Sequence, residues 1–230
     1  MRALIIRHDH PSEAGFVGER LVQRGFELVE MLIVSEAEYD RPGVTVDFPD
    51  PRDFDVIVPL GAPWSVYDNR TIGTWVGDEI ALLREALAAD VPVLGICFGA
   101  QAMATALGGS VERADRPEIG WTGVRSDDPG LVAEGPWFQW HFDRIVLPSQ
   151  AKEIARSDVG PQAYVVGRSL GLQFHPEVTP EIVQAWLDNG GVPQAVEYGH
   201  DPEELARPRD GAREQSYALV DNFLDRIAGI

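Results

Sequence analysis

The chain has 230 residues, with 37 Asp and Glu against 19 Lys and Arg, so its formal net charge at pH 7 is −18. Apolar residues make up 44% and charged residues 24%, which is close to the globular average and excludes a disordered chain. Because binding to phosphates needs clustered positive charge, the acidic balance argues against nucleic-acid and anionic-membrane partners.

The first hundred residues alternate between strand and helix patterns. Buried strands are predicted over Arg2–Arg7, Phe26–Val34, Asp55–Leu60 and Val91–Ile96. Helices are predicted after a Ser12 cap, over Gly73–Asp90 and over Ala100–Leu107. Strands that alternate with helices form βαβ units, so the pattern predicts an α/β fold with a mostly parallel sheet and helices on both faces.

The chain between Ser110 and Leu172 has a different pattern, in which turn residues separate short β-like segments. These segments are Ile119–Arg125, Phe138–Trp140, Arg144–Leu147 and Ala163–Gly167. They predict a small antiparallel flap at the edge of the sheet. Three more helices are predicted, after Thr179, after Asp201 and near Gln215–Ile227. Since no linker is long enough to separate domains, we expect residues 1–230 to form a single domain.

Cys97 is the only cysteine, so an intrachain disulfide is impossible. The sequence also has no signal-peptide pattern at its start and no run of 18 apolar residues. These features together predict a cytoplasmic protein.

The most informative segment is Gly95-Ile96-Cys97-Phe98-Gly99, where a buried strand pattern meets a small-residue helix pattern. Gly-x-Cys-x-Gly at such a junction has the form of a nucleophile elbow. The helix N-terminus favours a thiolate, and the N–H of Phe98 can point at a developing oxyanion. Without this context a lone cysteine is more often an inert core residue.

A thiol nucleophile needs a base and a group that orients the base. His175 and Glu177 offer both, because they follow an apolar strand and alternation places them on the same side. A solvated pair at a strand end is the alternative interpretation. Gly61 and Ala62 follow the third predicted strand, so their N–H groups could form the other half of an oxyanion hole.

These segments, in this order, resemble the class I, triad-type glutamine amidotransferases. The resemblance extends to the GMP-synthase-like branch of stand-alone proteins and covers the chain from about Leu4 to about Trp186. The segments that carry it are Gly95–Gln101, Gln173–Glu177, Gly61–Asp68, Glu118–Trp121 and Trp140–Pro148.

The resemblance implies a flavodoxin-like fold and a triad of Cys97, His175 and Glu177 that forms a γ-glutamyl thioester with glutamine. It also implies that glutamine is held by Gln101 and the segment Trp140, His141, Phe142 and Asp143.

Two positions depart from the family pattern. Ala62 stands where glycine is common, and alanine does not easily adopt a positive φ, so a peptide flip there becomes harder. Phe142, between His141 and Asp143, stands at another position where glycine is common in the family, and its side chain could narrow the glutamine pocket. Both departures leave the triad intact and bear on the preferred substrate.

Three functions are consistent with this pattern. The first is a glutamine amidohydrolase that releases ammonia for a separate acceptor synthase. The second is a stand-alone γ-glutamyl hydrolase or peptidase, and the third is a non-catalytic regulatory module of the same fold. No phosphate-binding loop appears in the sequence, and we expect no cofactor. His8, Asp9 and His10 make a weak case for zinc, so we expect no metal and assign them to a loop.

Overall fold

The computed structural model describes all of residues 1–230 and contains nine strands and seven α-helices. The strands are β1 (Arg2–Asp9), β2 (Glu27–Val34), β3 (Val56–Pro59), β4 (Leu94–Ile96), β5 (Ser110–Ser126), β6 (Gly135–Val146), β7 (Lys152–Arg156), β8 (Pro161–Val166) and β9 (Ser169–Leu172). The helices are α1 (Gly15–Gln23), α2 (Val76–Ala88), α3 (Phe98–Ala106), α4 (Pro180–Trp186), α5 (Val192–Glu197), α6 (Pro202–Leu205) and α7 (Ala212–Asn222).

The sheet has a parallel part and an antiparallel part. Strands β2, β1 and β3 pair in parallel, and a single bridge between Ile57 and Val93 connects β3 to the chain entering β4. Strand β4 then pairs in parallel with β9. From β9 onward the order β8, β7, β5, β6 is antiparallel. The predicted α/β sheet with an antiparallel extension is therefore confirmed.

Helices cover both faces of the parallel part. Alternate residues of β1 enter different cores, because successive side chains of a strand point to opposite faces. Ala3 and Ile5 pack in a core with α1 and α7, whereas Leu4 and Ile6 pack in a second core with α2 and α3. The prediction of helices on both faces is thus correct.

The antiparallel part is larger than the sequence predicts. The separate segments Ile119–Arg125, Phe138–Trp140 and Arg144–Leu147 belong to two long paired strands, β5 and β6, of 17 and 12 residues. A register shift between Arg113 and Glu118 interrupts their pairing, and this irregularity hides the continuity in the sequence.

The helix caps are partly as predicted. Thr179 caps α4 by accepting a hydrogen bond from the N–H of Ile182, and Asp201 caps α6 through the N–H of Glu203. The Ser12 cap is wrong, because α1 begins at Gly15 and its preceding residue makes no side-chain cap. No helix combines the length and the apolar character that a membrane crossing requires.

Candidate active site

Cys97 stands between β4 and α3 in a strained conformation, with φ of 50° and ψ of −105°. A non-glycine residue at positive φ costs about 1–3 kcal/mol and persists only where its surroundings hold it. Here the N–H of Cys97 donates to the carbonyl of Leu172 in β9 at 2.7 Å. The turn has the geometry that the Gly-x-Cys-x-Gly pattern predicts.

The two glycines around Cys97 let strand and helix approach each other. A β-carbon on Gly99 would lie 2.1 Å from the carbonyl oxygen of Pro59, and one on Gly95 would lie 2.9 Å from the backbone of Ala100. Both distances are shorter than real β-carbons allow. The elbow therefore depends on the absence of these side chains.

His175 and Glu177 lie beside Cys97 and form a direct pair. Nδ1 of His175 is 2.7 Å from Oε1 of Glu177, and both side chains are almost fully buried. Burial opposes protonation of the imidazole, but the Glu177 carboxylate and the Cys97 sulfur outweigh it and raise the pKa of His175 to about 10. Nε2 of His175 has no hydrogen-bond partner, so it is free to exchange a proton with a reacting group.

Gly61 adjoins both Cys97 and His175. The point where its β-carbon would stand is 2.9 Å from Cε1 of His175 and 3.8 Å from Cβ of Cys97. Ala62 lines the same cavity. Phe98 is the first residue of α3, where helical N–H groups have no acceptor within the helix. The three residues predicted for an oxyanion hole are thus brought together around the thiol.

The cavity in front of Cys97 has a volume of about 620 Å³. All five residues predicted to hold the substrate line it, namely Gln101, Trp140, His141, Phe142 and Asp143. Gln101 is buried, and its amide donates to Oε1 of Gln173, whose own amide donates to Cys97 Sγ at 3.6 Å.

Asp143 has the strongest polar surroundings of these residues. Its carboxylate accepts hydrogen bonds from the hydroxyls of Ser65 and Tyr67, and it lies 3.9 Å from the guanidinium of Arg113. Arg113 is the only Lys or Arg that lines the cavity, and sequence analysis missed it. It sits at the register shift of β5, which the sequence does not reveal.

His141 is fixed by a buried polar network. Its Nδ1 contacts the backbone carbonyl of Asp143 at 2.9 Å, and its Nε2 contacts the carboxylate of Glu118 at 3.1 Å. The same carboxylate oxygen of Glu118 accepts from Ser157 and Gln162. His141 is therefore held rigidly at the cavity wall rather than left free.

The chain beyond Trp186, for which the sequence offered no role, closes one side of the cavity. Trp186 packs edge-on against His175, with ring centroids 4.9 Å apart. The lining residues that follow are Asn189, Gly190, Gly191, Gln194, Glu197 and Tyr198. Asn189 and Gly190 leave the helical conformation, with Gly190 at φ of 103°, and the chain continues beyond this kink into α5.

His8 and His10 do not lie in a loop together, which corrects the expectation from sequence. His8 is the seventh residue of β1 and is fully buried, with Nε2 on the carboxylate of Glu79. His10 pairs with the side chain of Asn189 at 3.0 Å. The structure contains no group of three or more His, Cys, Asp and Glu side chains that could hold a metal ion.

Fold and site together are those of a cysteine-nucleophile enzyme on a flavodoxin-like sheet, with the thiol at the carboxyl edge of a parallel strand. The chain belongs to the class-I glutamine amidotransferase family, whose model matches residues 19–192.

Relatives and solved structures agree with this assignment. The chain is 36% identical over 163 residues to a glutamine-hydrolyzing GMP synthase of Aeropyrum pernix, a match that covers 65% of this chain and 30% of that protein. It is 31% identical over 162 residues to one subunit of a glutamine-hydrolyzing GMP synthase of Sulfolobus acidocaldarius, covering 64% of this chain and 82% of that protein. The matched region thus spans under a third of the Aeropyrum protein and most of the Sulfolobus protein, and the expected GMP-synthase-like branch is confirmed.

Two crystal structures are similar along nearly the whole chain. A glutamine amidotransferase from Thermotoga maritima has a TM-score of 0.84 and 26% identity, covering 100% of this chain and 99% of that one. A glutamine amido transferase from Methylobacillus flagellatus has a TM-score of 0.80 and 25% identity, covering 97% and 94%. The match therefore includes the segment beyond Trp186 that closes the cavity.

Proposed function

We propose that this chain hydrolyses the side-chain amide of glutamine and releases ammonia, with Cys97 as nucleophile, His175 as acid and base, and Glu177 as the group that orients His175. The observation that carries the proposal is the buried pair of His175 and Glu177, 2.7 Å apart, beside a cysteine on a strained elbow. An imidazole that takes the proton of a neighbouring thiol is the arrangement that activates a cysteine nucleophile.

The reaction has two stages. The Cys97 thiol gives its proton to Nε2 of His175 as Sγ adds to the amide carbon, and the resulting oxyanion is stabilised by the N–H groups of Ala62 and Phe98. His175 donates its proton from Nε2 to the leaving ammonia, and the carbon–nitrogen bond breaks to leave a γ-glutamyl thioester. His175, now neutral, takes a proton from water as the water oxygen attacks the thioester. The carbon–sulfur bond then breaks, His175 returns the proton to sulfur, and glutamate leaves.

We assign binding of the glutamine backbone to the far wall of the cavity. Asp143 is a buried carboxylate that faces it, and Arg113 is the cation beside it. These two charges complement the ammonium and the carboxylate of a free amino acid. Trp140 and the rigidly held His141 line the same wall, with Gln101 on the side of the thiol.

Release of ammonia to a separate acceptor protein is part of the proposal. Support comes from the Sulfolobus acidocaldarius relative, which is named as one subunit of a glutamine-hydrolyzing synthase and of which this chain matches 82%. We further propose that residues 1–230 act as one amidotransferase domain, since a single core contains residues from Ala3 in β1 to Ala228 near the C-terminus. A cytoplasmic location remains part of this proposal.

A stand-alone γ-glutamyl hydrolase is the second candidate, and the size of the cavity favours it. A volume of about 620 Å³ falls in the range of about 300–1,000 Å³ that suits ligands of drug size. This space exceeds what one amino acid fills. Phe142, packed against Tyr198, would then provide an apolar wall for the amine portion of the substrate.

The experiment is to incubate purified protein with glutamine and a panel of γ-glutamyl amides and to measure glutamate by mass spectrometry, with Cys97→Ala as control. Release from glutamine that the variant loses supports the first candidate. Release only from the larger amides supports the second. Absence of both, together with a Cys97 that a chloroketone analogue of glutamine does not alkylate, would refute both in favour of a non-catalytic module.

A further inference from the structure

A buried ion-pairing dyad lies directly behind the oxyanion segment. His8 in β1 and Glu79 in α2 are both fully buried, and their side chains meet at 2.9 Å and 3.1 Å. The other ring nitrogen of His8, Nδ1, lies 3.0 Å from the backbone carbonyl oxygen of Gly61. The rings of Trp75 and Phe98 pack against the imidazole and keep it in place.

The hydrogen-bonding pattern determines which nitrogen carries a proton. A backbone carbonyl only accepts, so Nδ1 of His8 must donate to Gly61. Glu79 contacts the remaining nitrogen and fixes the orientation of the ring. Burial opposes protonation of His8, but the charge and hydrogen bond of Glu79 outweigh it, and the pKa of the imidazole lies above its ordinary value.

The direction of the Gly61 carbonyl sets the direction of the next N–H. The chain has no cis peptide bond, so the N–H of Ala62 points opposite to the carbonyl of Gly61 and away from His8. This N–H donates to no acceptor within the protein. Gly61 and Ala62 line the cavity with Cys97, whereas His8 does not. The peptide therefore separates His8 on its buried side from the reaction space on its other side.

We propose that His8, oriented by Glu79, is a positioning residue that holds the Gly61–Ala62 peptide with its N–H aimed at the oxyanion. The role rests on the proposed function, because it matters only if a tetrahedral oxyanion forms at Cys97. His8 touches neither the substrate nor the thiol and acts through the backbone alone. Without it, the Gly61 carbonyl is free to rotate toward the cavity, where its negative end would oppose the oxyanion.

Two amide substitutions separate this role from a general structural one. In His8→Asn the amide nitrogen takes the place of Nδ1, so the donor to Gly61 is kept. In His8→Gln the amide nitrogen takes the place of Nε2, so contact with Glu79 is kept and the donor to Gly61 is lost. Both variants are polar and smaller than histidine, so each serves as the matched control of the other. Thermal unfolding measures their effect on stability.

Three readouts are compared in the wild type and both variants. The first is kcat and KM for glutamate release from glutamine. The second is alkylation of Cys97 by a chloroketone analogue of glutamine, in which sulfur adds to a carbonyl and an oxyanion develops before chloride leaves. The third is alkylation by iodoacetamide, a direct displacement of iodide that needs no oxyanion hole.

The proposal expects His8→Gln to lower kcat and the chloroketone rate by about tenfold or more, with KM and the iodoacetamide rate little changed. His8→Asn is expected to recover most of that loss. Equal effects of the two variants on an active enzyme would overturn the role of His8 alone. A wild type that iodoacetamide alkylates, but that neither hydrolyses glutamine nor reacts with the chloroketone, would overturn the proposed function itself.

A measurement on the wild type answers the same question if His8→Gln does not fold. The amide proton of Ala62 is expected to move downfield in ¹⁵N NMR spectra when the chloroketone adduct forms, since the N–H then gains an acceptor. Iodoacetamide should leave it near its original position. An Ala62 resonance that responds equally to both reagents would contradict the proposal.

Discussion

Replacing Gly99 by alanine tests how closely strand and helix must approach at the elbow. The added β-carbon would lie 2.1 Å from the carbonyl oxygen of Pro59, against 3.4 Å where ordinary contact begins. A flexible side chain could move aside, but the atoms in the way are the backbone carbonyl and the ring Cβ of Pro59 in β3. The first turn of α3 must therefore shift by about 1 Å, which is the scale of overpacking that costs about 1–3 kcal/mol of stability.

The shift also moves the atoms that perform the proposed chemistry. The N–H of Gly99 donates to the carbonyl of Leu60 at 3.0 Å, so this bond ties the first turn of α3 to the segment before Gly61. Displacing the turn moves the N–H of Phe98 away from the N–H of Ala62. Because misplacement by about 1 Å can cost about 100-fold in rate, we expect kcat for glutamine hydrolysis to fall by between ten- and 100-fold.

Gly77→Ala is the matched control. Gly77 lies in α2, is exposed, and has no atom within 4 Å of the position of an added β-carbon. Because Gly77 is the second residue of α2, alanine there should raise stability by less than the gain of about 0.5–1 kcal/mol that is typical of a helix interior, and it should leave activity unchanged. Urea unfolding and glutamate release are measured for both variants. If Gly99→Ala were as stable and as active as Gly77→Ala, the steric account of the elbow would be refuted.

Three further predictions concern the proposed site. Glu177→Gln should lower the pKa of His175 from about 10 toward its ordinary 6.5, as measured by ¹⁵N NMR titration. Because folding raises the pKa of His175 in the wild type, protonation of this imidazole stabilises the fold fully below pH 6.5, and the stabilisation disappears as the pH rises to 10. Asp143→Asn should raise KM for glutamine by about tenfold or more at little cost in kcat, because it removes the charge complementary to the substrate ammonium; an unchanged KM in steady-state assays would contradict the assignment. Phe142→Gly should improve kcat/KM for bulky γ-glutamyl amides relative to kcat/KM for glutamine. An unchanged ratio of these two values would show that Phe142 does not determine substrate specificity.

The elbow could be predicted from sequence because its determinants are local. Gly95, Cys97 and Gly99 lie within five residues, and the strain they permit is visible as a pattern of side-chain size. The pairing of His175 with Glu177 was predictable for the same reason, since strand alternation places residues two apart on one side. The elbow has the geometry that this reasoning expects. His175 and Glu177 also meet, but strand alternation does not place them, because β9 ends at Leu172 and both residues lie in the segment of bends and turns that follows it.

Features that depend on distant parts of the chain were not predictable. His8 and Glu79 are 71 residues apart, and neither has a neighbour in sequence that suggests a buried pair. Arg113 enters the cavity at a register shift that only the pairing of β5 with β6 defines. The role of the chain from Trp186 to Tyr198 follows from tertiary packing, of Trp186 against His175 and of Tyr198 against Phe142.

The hydrogen bond from His8 to the Gly61 carbonyl explains why alanine is tolerated at position 62, where glycine is common in the family. Glycine at this position permits a positive φ and hence a peptide that turns over during the reaction, and alanine makes that motion costly. In this structure Ala62 does not have a positive φ, and the carbonyl of Gly61 already faces His8 rather than the cavity. An oxyanion donor that is aimed before substrate arrives requires no flip, so the methyl group of alanine is compatible with the proposed chemistry. The same reasoning predicts that Ala62→Gly leaves kcat nearly unchanged while His8 is present. In His8→Gln the same substitution should lower kcat further, because the freed peptide has more conformations to sample. Steady-state kinetics of the double variant and both single variants measures this coupling, and strictly additive effects would argue against it.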